Sequence, residues 1–266
     1  MNVMLLTGSH PRHLYVASQL AKSGFLQALV VEEREALVPS PPANILQQDK
    51  ENFIRHFADR EASELRFFGD GQYAELASIP TLRVKPEELN GQGVVDWIHQ
   101  YKPDAVISYG VHILRQSVLD VLPDTAWNIH GGLSPWYRGN ITLFWPFYFL
   151  KPNWAGMTIH QLTSRLDGGD IIHHAVPELE RGDGIHDVAC KAVMQAAQDL
   201  VHILDLKMNG KEMTPVPQKS SGKLFTSADW HPQHLRLIYN TFNNDIVDKY
   251  LDGELPQHEP PLVKAF

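Results

Sequence analysis

The chain has 266 residues, 43% of them hydrophobic and 20% charged, and a formal net charge of −8. That make-up suits a soluble globular protein with a sizeable core. The acidic balance argues against nucleic acid as a partner, since a large nucleic-acid surface needs clustered Lys and Arg.

The single cysteine, Cys190, excludes an intrachain disulfide and a cysteine-rich zinc site, and its helical setting reads as that of a small buried hydrophobe. No apolar stretch approaches the roughly 20 residues that span a bilayer. The first residues carry no basic n-region and no small-residue cleavage site. A cytoplasmic enzyme with no membrane partner is the expectation, and a homodimer stays open.

Met1 to Thr7 predicts a buried strand, followed by the turn Gly8-Ser9-His10-Pro11 and a helix from Arg12 to Ser23 that Gly24 ends. Leu26 to Val31 is a second apolar run, and the Pro-rich piece Val38 to Ala43 is a loop. From Asp49 to Phe68 the residues Phe53, Ile54, Phe57, Ala58, Ala62 and Leu65 recur at helical spacing. Val94 to Tyr101 predicts a short helix, Ala105 to Tyr109 a buried strand, Ile113 to Val121 a helix and Ala126 to His130 the next strand. After the aromatic run Phe144 to Phe149 come strands at Gly156 to Leu162 and Asp170 to Val176. Val188, Ala192, Val193, Ala196, Leu200 and Leu204 form one apolar stripe on a helix over 187–209, with Gly210 where a C-cap belongs. Lys223 to Thr226 adds a short strand, Pro232 to Phe242 a short helix, and the tail from Leu255 is Pro-rich.

Strands alternating with helices predict an α/β fold: a Rossmann-like, mostly parallel sheet with helices on both faces. It would occupy residues 1–210, with 211–266 as a C-terminal extension. Such sheets bind ligands at the carboxyl ends of their strands. The glycines after the first strand do not make a G-x-G-x-x-G fingerprint, so a dinucleotide is not expected.

The densest polar constellation is Trp127-Asn128-Ile129-His130-Gly131-Gly132-Leu133-Ser134-Pro135-Trp136-Tyr137-Arg138-Gly139. Alternate side chains of a strand share a face, so Asn128 and His130 point the same way. An amide can donate to an oxyanion and an imidazole can move a proton near neutral pH. The same pair can also close a strand end with structural hydrogen bonds alone, and spacing does not choose between the two. In the second constellation, Thr158-Ile159-His160 leads into Leu166-Asp167-Gly168-Gly169-Asp170-Ile171. A carboxylate there can support a cationic imidazole; Asp-Gly-Gly is also a common turn. His173-His174 sits in an alternating strand, one ring facing inward and one outward, and no metal site is read there or elsewhere. His10-Pro11-Arg12-His13 stands at a helix N-terminus, a place suited either to an anion or to plain capping.

Taken together, Asn-x-His, then Ser-Pro-x-x-Arg-Gly, then Thr-Ile-His and Leu-Asp-Gly-Gly-Asp-Ile resemble the folate-dependent formyltransferase family. The likeness covers roughly residues 75 to 180 and, more loosely, the first strand–helix unit. It implies an enzyme with N10-formyltetrahydrofolate as formyl donor and a primary amine as acceptor, and it assigns Asn128, His130 and Asp167 as the catalytic set. By the same resemblance the donor lies along Tyr109, Gly110, Val111, His112, Ile113 and Leu114, with Gly168 and Asp170 on its other side, and His160 is structural. A hydrolase that passes the formyl group to water is the competing reading, and a non-catalytic binding module a further one.

The acceptor narrows by exclusion. The glycine-rich phosphate loop of the glycinamide ribonucleotide enzymes is replaced by His10, Arg12 and His13. The C-terminal barrel with which the methionyl-tRNA enzymes grip their acceptor is longer than the segment after residue 210. A small amino sugar, free or nucleotide-linked, is the remaining expectation. Arg138 would meet a diphosphate, while Trp136 and Tyr137 would either stack on a base or sugar face or pack the loop.

Overall fold

The computed structural model describes residues 1–33, 38–219 and 222–266. Strands β1 (Val3–Gly8), β2 (Leu26–Glu32), β3 (Thr81–Val84), β4 (Ala105–Tyr109) and β5 (Thr125–His130) run parallel in the order β3-β2-β1-β4-β5. The chain leaves the sheet at the short β6 (Tyr137–Gly139). It returns in β7 (Met157–Gln161) and β8 (Ile171–Ala175), which extend the sheet antiparallel beside β5. The mostly parallel α/β sheet expected from the sequence is the fold observed.

Each central strand is buried on both faces, so its residues sort by parity into two cores. On one face Val3, Leu5, Leu29, Val31, Ile107, Trp127 and Ile129 meet helices α1 (Pro11–Lys22) and α6 (Ile185–Met208). The α6 stripe supplies Ala192, Val193, Ala196 and Leu200, all buried, and burying a side chain such as Leu200 is worth about 1.5–3 kcal/mol. Helix α2 (Gln47–Phe68) packs outside this layer on α1 and α6. On the other face Met4, Leu6, Ala28, Val30 and Val106 meet α3 (Gln92–Tyr101) and Val118 of the short α4 (Gln116–Leu119).

α4 is shorter than the helix expected over Ile113 to Val121. Asn90, from before α3, takes up the local backbone groups instead: its amide donates to the Ile113 carbonyl at 3.0 Å and its carbonyl oxygen accepts the Arg115 N–H at 2.6 Å. With those groups committed elsewhere the first helical turn does not form. Across β4, β5 and β7, Ser108, Asn128, His130, Thr158 and His160 stand together on this face, with no helix packed on them among the described residues. The segment expected as one helix over Pro232 to Phe242 divides into a 3₁₀ turn at Pro232–His234 and a π-helical turn at Leu237–Thr241.

A third core joins the loop after β5, including α5 (Trp145–Tyr148), to the segment after residue 210. Leu133, Tyr137, Phe144, Trp145 and Phe147 pack with Phe225, Leu235, Ile238 and Tyr239. Strand β9 (Lys223–Phe225) pairs parallel with β6, and α7 (Ile246–Leu251) adds Ile246 and Val247. At the sheet edge the last residues dock on β8. The Val263 N–H donates to His174 Nδ1 at 3.0 Å and the Ala265 N–H to His173 Nδ1 at 3.1 Å. His173 and His174 are thus both buried, against the expectation of one ring inward and one outward. Strand parity holds, but the tail covers the edge and His174 also reaches the Ser134 carbonyl. Among the described residues no helix is long and apolar enough to cross a membrane.

These buried imidazoles make stability depend on pH. Burial holds His174 down at about 4 and His186 at about 3, and lowers His56 and His130 as well. Each has a folded pKa below its unfolded one, so between the two values the unfolded chain binds more protons and stability falls as pH falls. The unfolding free energy from urea titration is expected to drop steadily from pH 7 to pH 5, by up to ~1.4 kcal/mol per pH unit for each group, and the urea midpoint with it. A midpoint unchanged over that range contradicts the expectation.

Candidate active site

Asn128 sits in β5 between Ser108 of β4 and His160 of β7, its direct neighbours in register. Ser108 Oγ donates to Asn128 Oδ1 at 2.7 Å. On the other side Asn128 Nδ2 lies 3.1 Å from His160 Nε2, while His160 Nδ1 donates to the Gln161 carbonyl at 2.8 Å. These partners set every orientation: His160 carries its proton on Nδ1, its Nε2 accepts, and the Asn128 amide has its oxygen toward Ser108. The second N–H of the Asn128 amide has no further partner among the described residues and can serve an incoming oxygen.

His130, two residues on, is buried on the same face. Its Nε2 donates to the Tyr137 carbonyl at 2.8 Å, and its Nδ1 lies 3.4 Å from Asp167 Oδ1. Asp167 comes from the loop between β7 and β8 that closes over the uncovered face. Its other oxygen accepts the Gly139 N–H at 2.9 Å, and His160 Nε2 is 3.7 Å from Oδ1. Burial pushes the Asp167 carboxyl up, but His130, His160 and the Gly139 N–H together outweigh it and hold it at about 2. Burial lowers the His130 imidazole below its ordinary range against the opposing pull of Asp167. The resting pair is a carboxylate beside a neutral ring, with the unprotonated Nδ1 turned toward the negative charge.

On the opposite face of the sheet lies a cavity of about 660 Å³, which reaches the strand ends at Gly110 and Gly131 and the Gly139 that donates to Asp167. Tyr109, Gly110, Gly131 and Gly139 form its floor, and α1, α2 and α6 its walls. Gly110 has φ 68°, and a Cβ there would collide with the ring of His13, so only glycine lets β4 end against that ring. His10, Arg12 and His13 all line the cavity, as do His56, Arg60, Glu64, His186 and Cys190. Arg12 Nη1 is 2.6 Å from Glu64 Oε1 and Arg60 Nε is 3.6 Å from the same oxygen. His56 Nδ1 lies 3.0 Å from the Tyr239 hydroxyl and 3.2 Å from His186 Nε2. Burial pushes the Cys190 thiol up to about 12, so it is unreactive there near neutral pH.

Other residues expected at the site are placed differently. Trp136 packs edge-on to Trp154 at 5.3 Å, and Tyr137 stacks on Phe225 at 6.0 Å. Arg138 donates to the Gly222 carbonyl at 3.1 Å. None of the three lines the cavity; β9, which sequence spacing cannot place beside them, makes this loop an interior one. In the Tyr109–Leu114 segment, Leu114 is buried in the core and Ile113 is exposed. His112 Nδ1 donates to Glu32 Oε1 at 2.6 Å and the residue lines the cavity, and Val111 packs partly buried on the α3 side. Gly168 is buried beside Asp167, and Asp170 is half-buried where the loop re-enters the sheet. The residues that sequence reasoning passed over are Ser108 as a partner of Asn128, and His56, Arg60, Glu64 and His186. The last four read only as polar positions on amphipathic helices.

An α/β sheet that carries an oriented amide donor, a neutral imidazole and an ionised carboxylate at a strand's carboxyl end is equipped for acyl transfer. It can stabilise an oxyanion and move a proton. The family model for formyl transferases matches residues 34–204, and the chain belongs to that family. Its fold is similar to that of phosphoribosylglycinamide formyltransferase from Anaplasma phagocytophilum (19% identity, TM-score 0.56, covering 85% of this chain and 97% of that one). It is also similar to the N-formyltransferase from Helicobacter canadensis, solved with folinic acid and dTDP-3-aminofucose (13% identity, TM-score 0.51, 87% and 73%). A third likeness is to the formyltransferase PseJ from Anoxybacillus kamchatkensis, solved with UDP-4,6-dideoxy-4-formamido-L-AltNAc and tetrahydrofolate (17% identity, TM-score 0.50, 92% and 96%).

Proposed function

We propose that this chain moves a formyl group from N10-formyltetrahydrofolate to the primary amine of an amino sugar, free or nucleotide-linked. The observation that carries the reading is the cluster of Asn128, His130 and Asp167 at the end of β5, next to a cavity that reaches Gly131 and Gly139. On one face is a polar patch closed by the Asp167 loop, and on the other a cavity lined by cationic and imidazole side chains. Residues 1–210 are the catalytic unit in this reading, and 211–266 an extension packed onto it.

The donor fits the first space. The two loops that flank Asn128 each leave an apolar side chain exposed, Ile113 and Leu166, which gives a flat ring system apolar edges to lie against. The backbone from Val111 to Ile113, with Gly168 and Asp170, would hold it, and what it supplies is a formyl carbon bonded to nitrogen. The acceptor takes the second space, where Arg12 and Arg60 meet negative charge and Glu64 meets hydroxyl or amine groups. Two solved proteins of this fold carry amino- or formamido-sugar nucleotides, which supports the same acceptor class.

In the transfer one C–N bond forms and one breaks. The attacking amine loses a proton and the departing nitrogen gains one, so no net proton is released. Asn128 Nδ2–H donates to the oxygen on which negative charge develops. His130 takes the amine's proton at Nδ1, the ring nitrogen that Tyr137 leaves open, and returns it to the departing nitrogen. Asp167, already ionised, stabilises the imidazolium while it lasts.

The test is release of tetrahydrofolate from formyltetrahydrofolate with and without a panel of amino sugars and their nucleotide-linked forms. Release that requires an amine, with formamide product found by mass spectrometry, is expected. Equal release without amine would assign the chemistry to hydrolysis, and no release with any amine would refute transfer.

A further inference from the structure

The irregular segment that follows α6 carries one side chain into the site. Gln218 Nε2 lies 2.9 Å from the Asp167 carbonyl oxygen and 2.6 Å from that of Gly169, donating one hydrogen to each side of the turn that presents the Asp167 carboxylate. That turn needs holding. Asp167 has φ 45°, the left-handed region that residues with a Cβ avoid. Within its own loop the backbone bond nearby is the Gly168 N–H to the Arg165 carbonyl at 3.2 Å. The amide's other end, Gln218 Oε1, is buried without a hydrogen-bond partner among the described residues. A side chain selected only for stability has no reason to bury an amide with its acceptor unused. The same segment is anchored on either side: Val216 pairs with Ile171 at the foot of β8, and the Gly222 carbonyl accepts from Arg138.

We infer that Gln218 is a positioning residue for Asp167, so that the segment after residue 210 completes the active site. It ties down both carbonyls of the left-handed turn. The carboxylate is thereby held with one oxygen 3.4 Å from His130 Nδ1 and the other on the Gly139 N–H. This rests on the reading of Asp167 as the group that supports the His130 imidazolium.

The substitution Gln218→Met keeps the side chain's length and volume and removes both donors. With the turn released, kcat is expected to fall by about tenfold or more, since misplacing a reacting group by an ångström costs on the order of 10²-fold. KM for the donor and for the amine should stay within about twofold. The acid limb of the kcat–pH profile should move to lower pH, because a carboxylate set further away stabilises the imidazolium less. Placed on Asp167→Asn, the methionine should cause no further loss. Gln218→Asn, which withdraws the amide by one methylene, gives the same readouts if the methionine variant does not fold. A lowered melting temperature with kcat and the acid limb unchanged would make Gln218 merely structural and overturn the inference, as would losses that add in the double variant. The two levels separate cleanly: if Asp167→Asn is nearly inactive and Gln218→Met is not, only this inference fails. If Asp167→Asn turns over normally, the reading of the site fails and takes the inference with it.

Discussion

Turnover is expected to fall about 10²-fold or more when His130 is replaced by Ala or Asp167 by Asn, the scale of a lost acid–base group and its electrostatic support. The two losses should differ in kind. His130→Ala removes the proton carrier, so the acid limb of the rate profile disappears with it. Asp167→Asn keeps the shape, and its side-chain oxygen can still accept the Gly139 N–H, but the negative charge beside Nδ1 is gone. Since Asp167 raises the His130 pKa against the effect of burial, its loss drives the ring further down. The acid limb then moves to lower pH while the plateau falls. Steady-state profiles of the two variants with saturating donor and amine check both points. A variant that keeps near-wild-type kcat removes its residue from the proposed role.

How much of this was legible in the sequence depends on the range of the order involved. Period-two alternation put Asn128 and His130 on one face, and the apolar stripe of α6 gave that helix and its buried side. Those patterns repeat within a few residues and survive any tertiary arrangement. Asp167 was within reach only through its resemblance to a family motif, because an Asp-Gly-Gly turn looks the same whether or not it closes over an imidazole. The acceptor cavity was not legible. Arg60 and Glu64 on α2 and His186 on α6 each read correctly as polar positions, but periodicity cannot say that the two helices lean together over the end of β4. For Trp136 and Tyr137 the sequence left ligand stacking and loop packing both open; Tyr137 stacks on Phe225, 88 residues further along the chain, and Trp136 packs on Trp154, contacts that local spacing cannot foretell. Gln218 gave no signal at all, since it lies in a segment with neither helical nor strand period.

The group whose role depends most on such long-range partners is Asn128, and its replacement should cost as much as that of His130. With Ser108 holding Oδ1 and His160 accepting one amide hydrogen, the remaining N–H has no rotational freedom to lose when it meets a developing oxyanion. A donor so fixed contributes to the transition state without reorganising, which is where most of its effect arises. Asn128→Asp is the sharper test. The aspartate can still accept from Ser108, but it sets an oxygen where the donor was, facing both the oxyanion and the lone pair of His160 Nε2. A fall in kcat of about 10²–10³-fold is expected, or about 2.7–4 kcal/mol of lost stabilisation, with donor KM little changed. Part of any fall could come from the disturbed His160 rather than from the missing donor. Asn128→Ala separates the two: it leaves His160 its Nδ1–H bond to Gln161 and adds no charge, and it should fall nearly as far. If Asn128→Ala keeps more than about a third of wild-type kcat while Asn128→Asp is inactive, the amide is not the oxyanion donor and the harm comes from the charge alone.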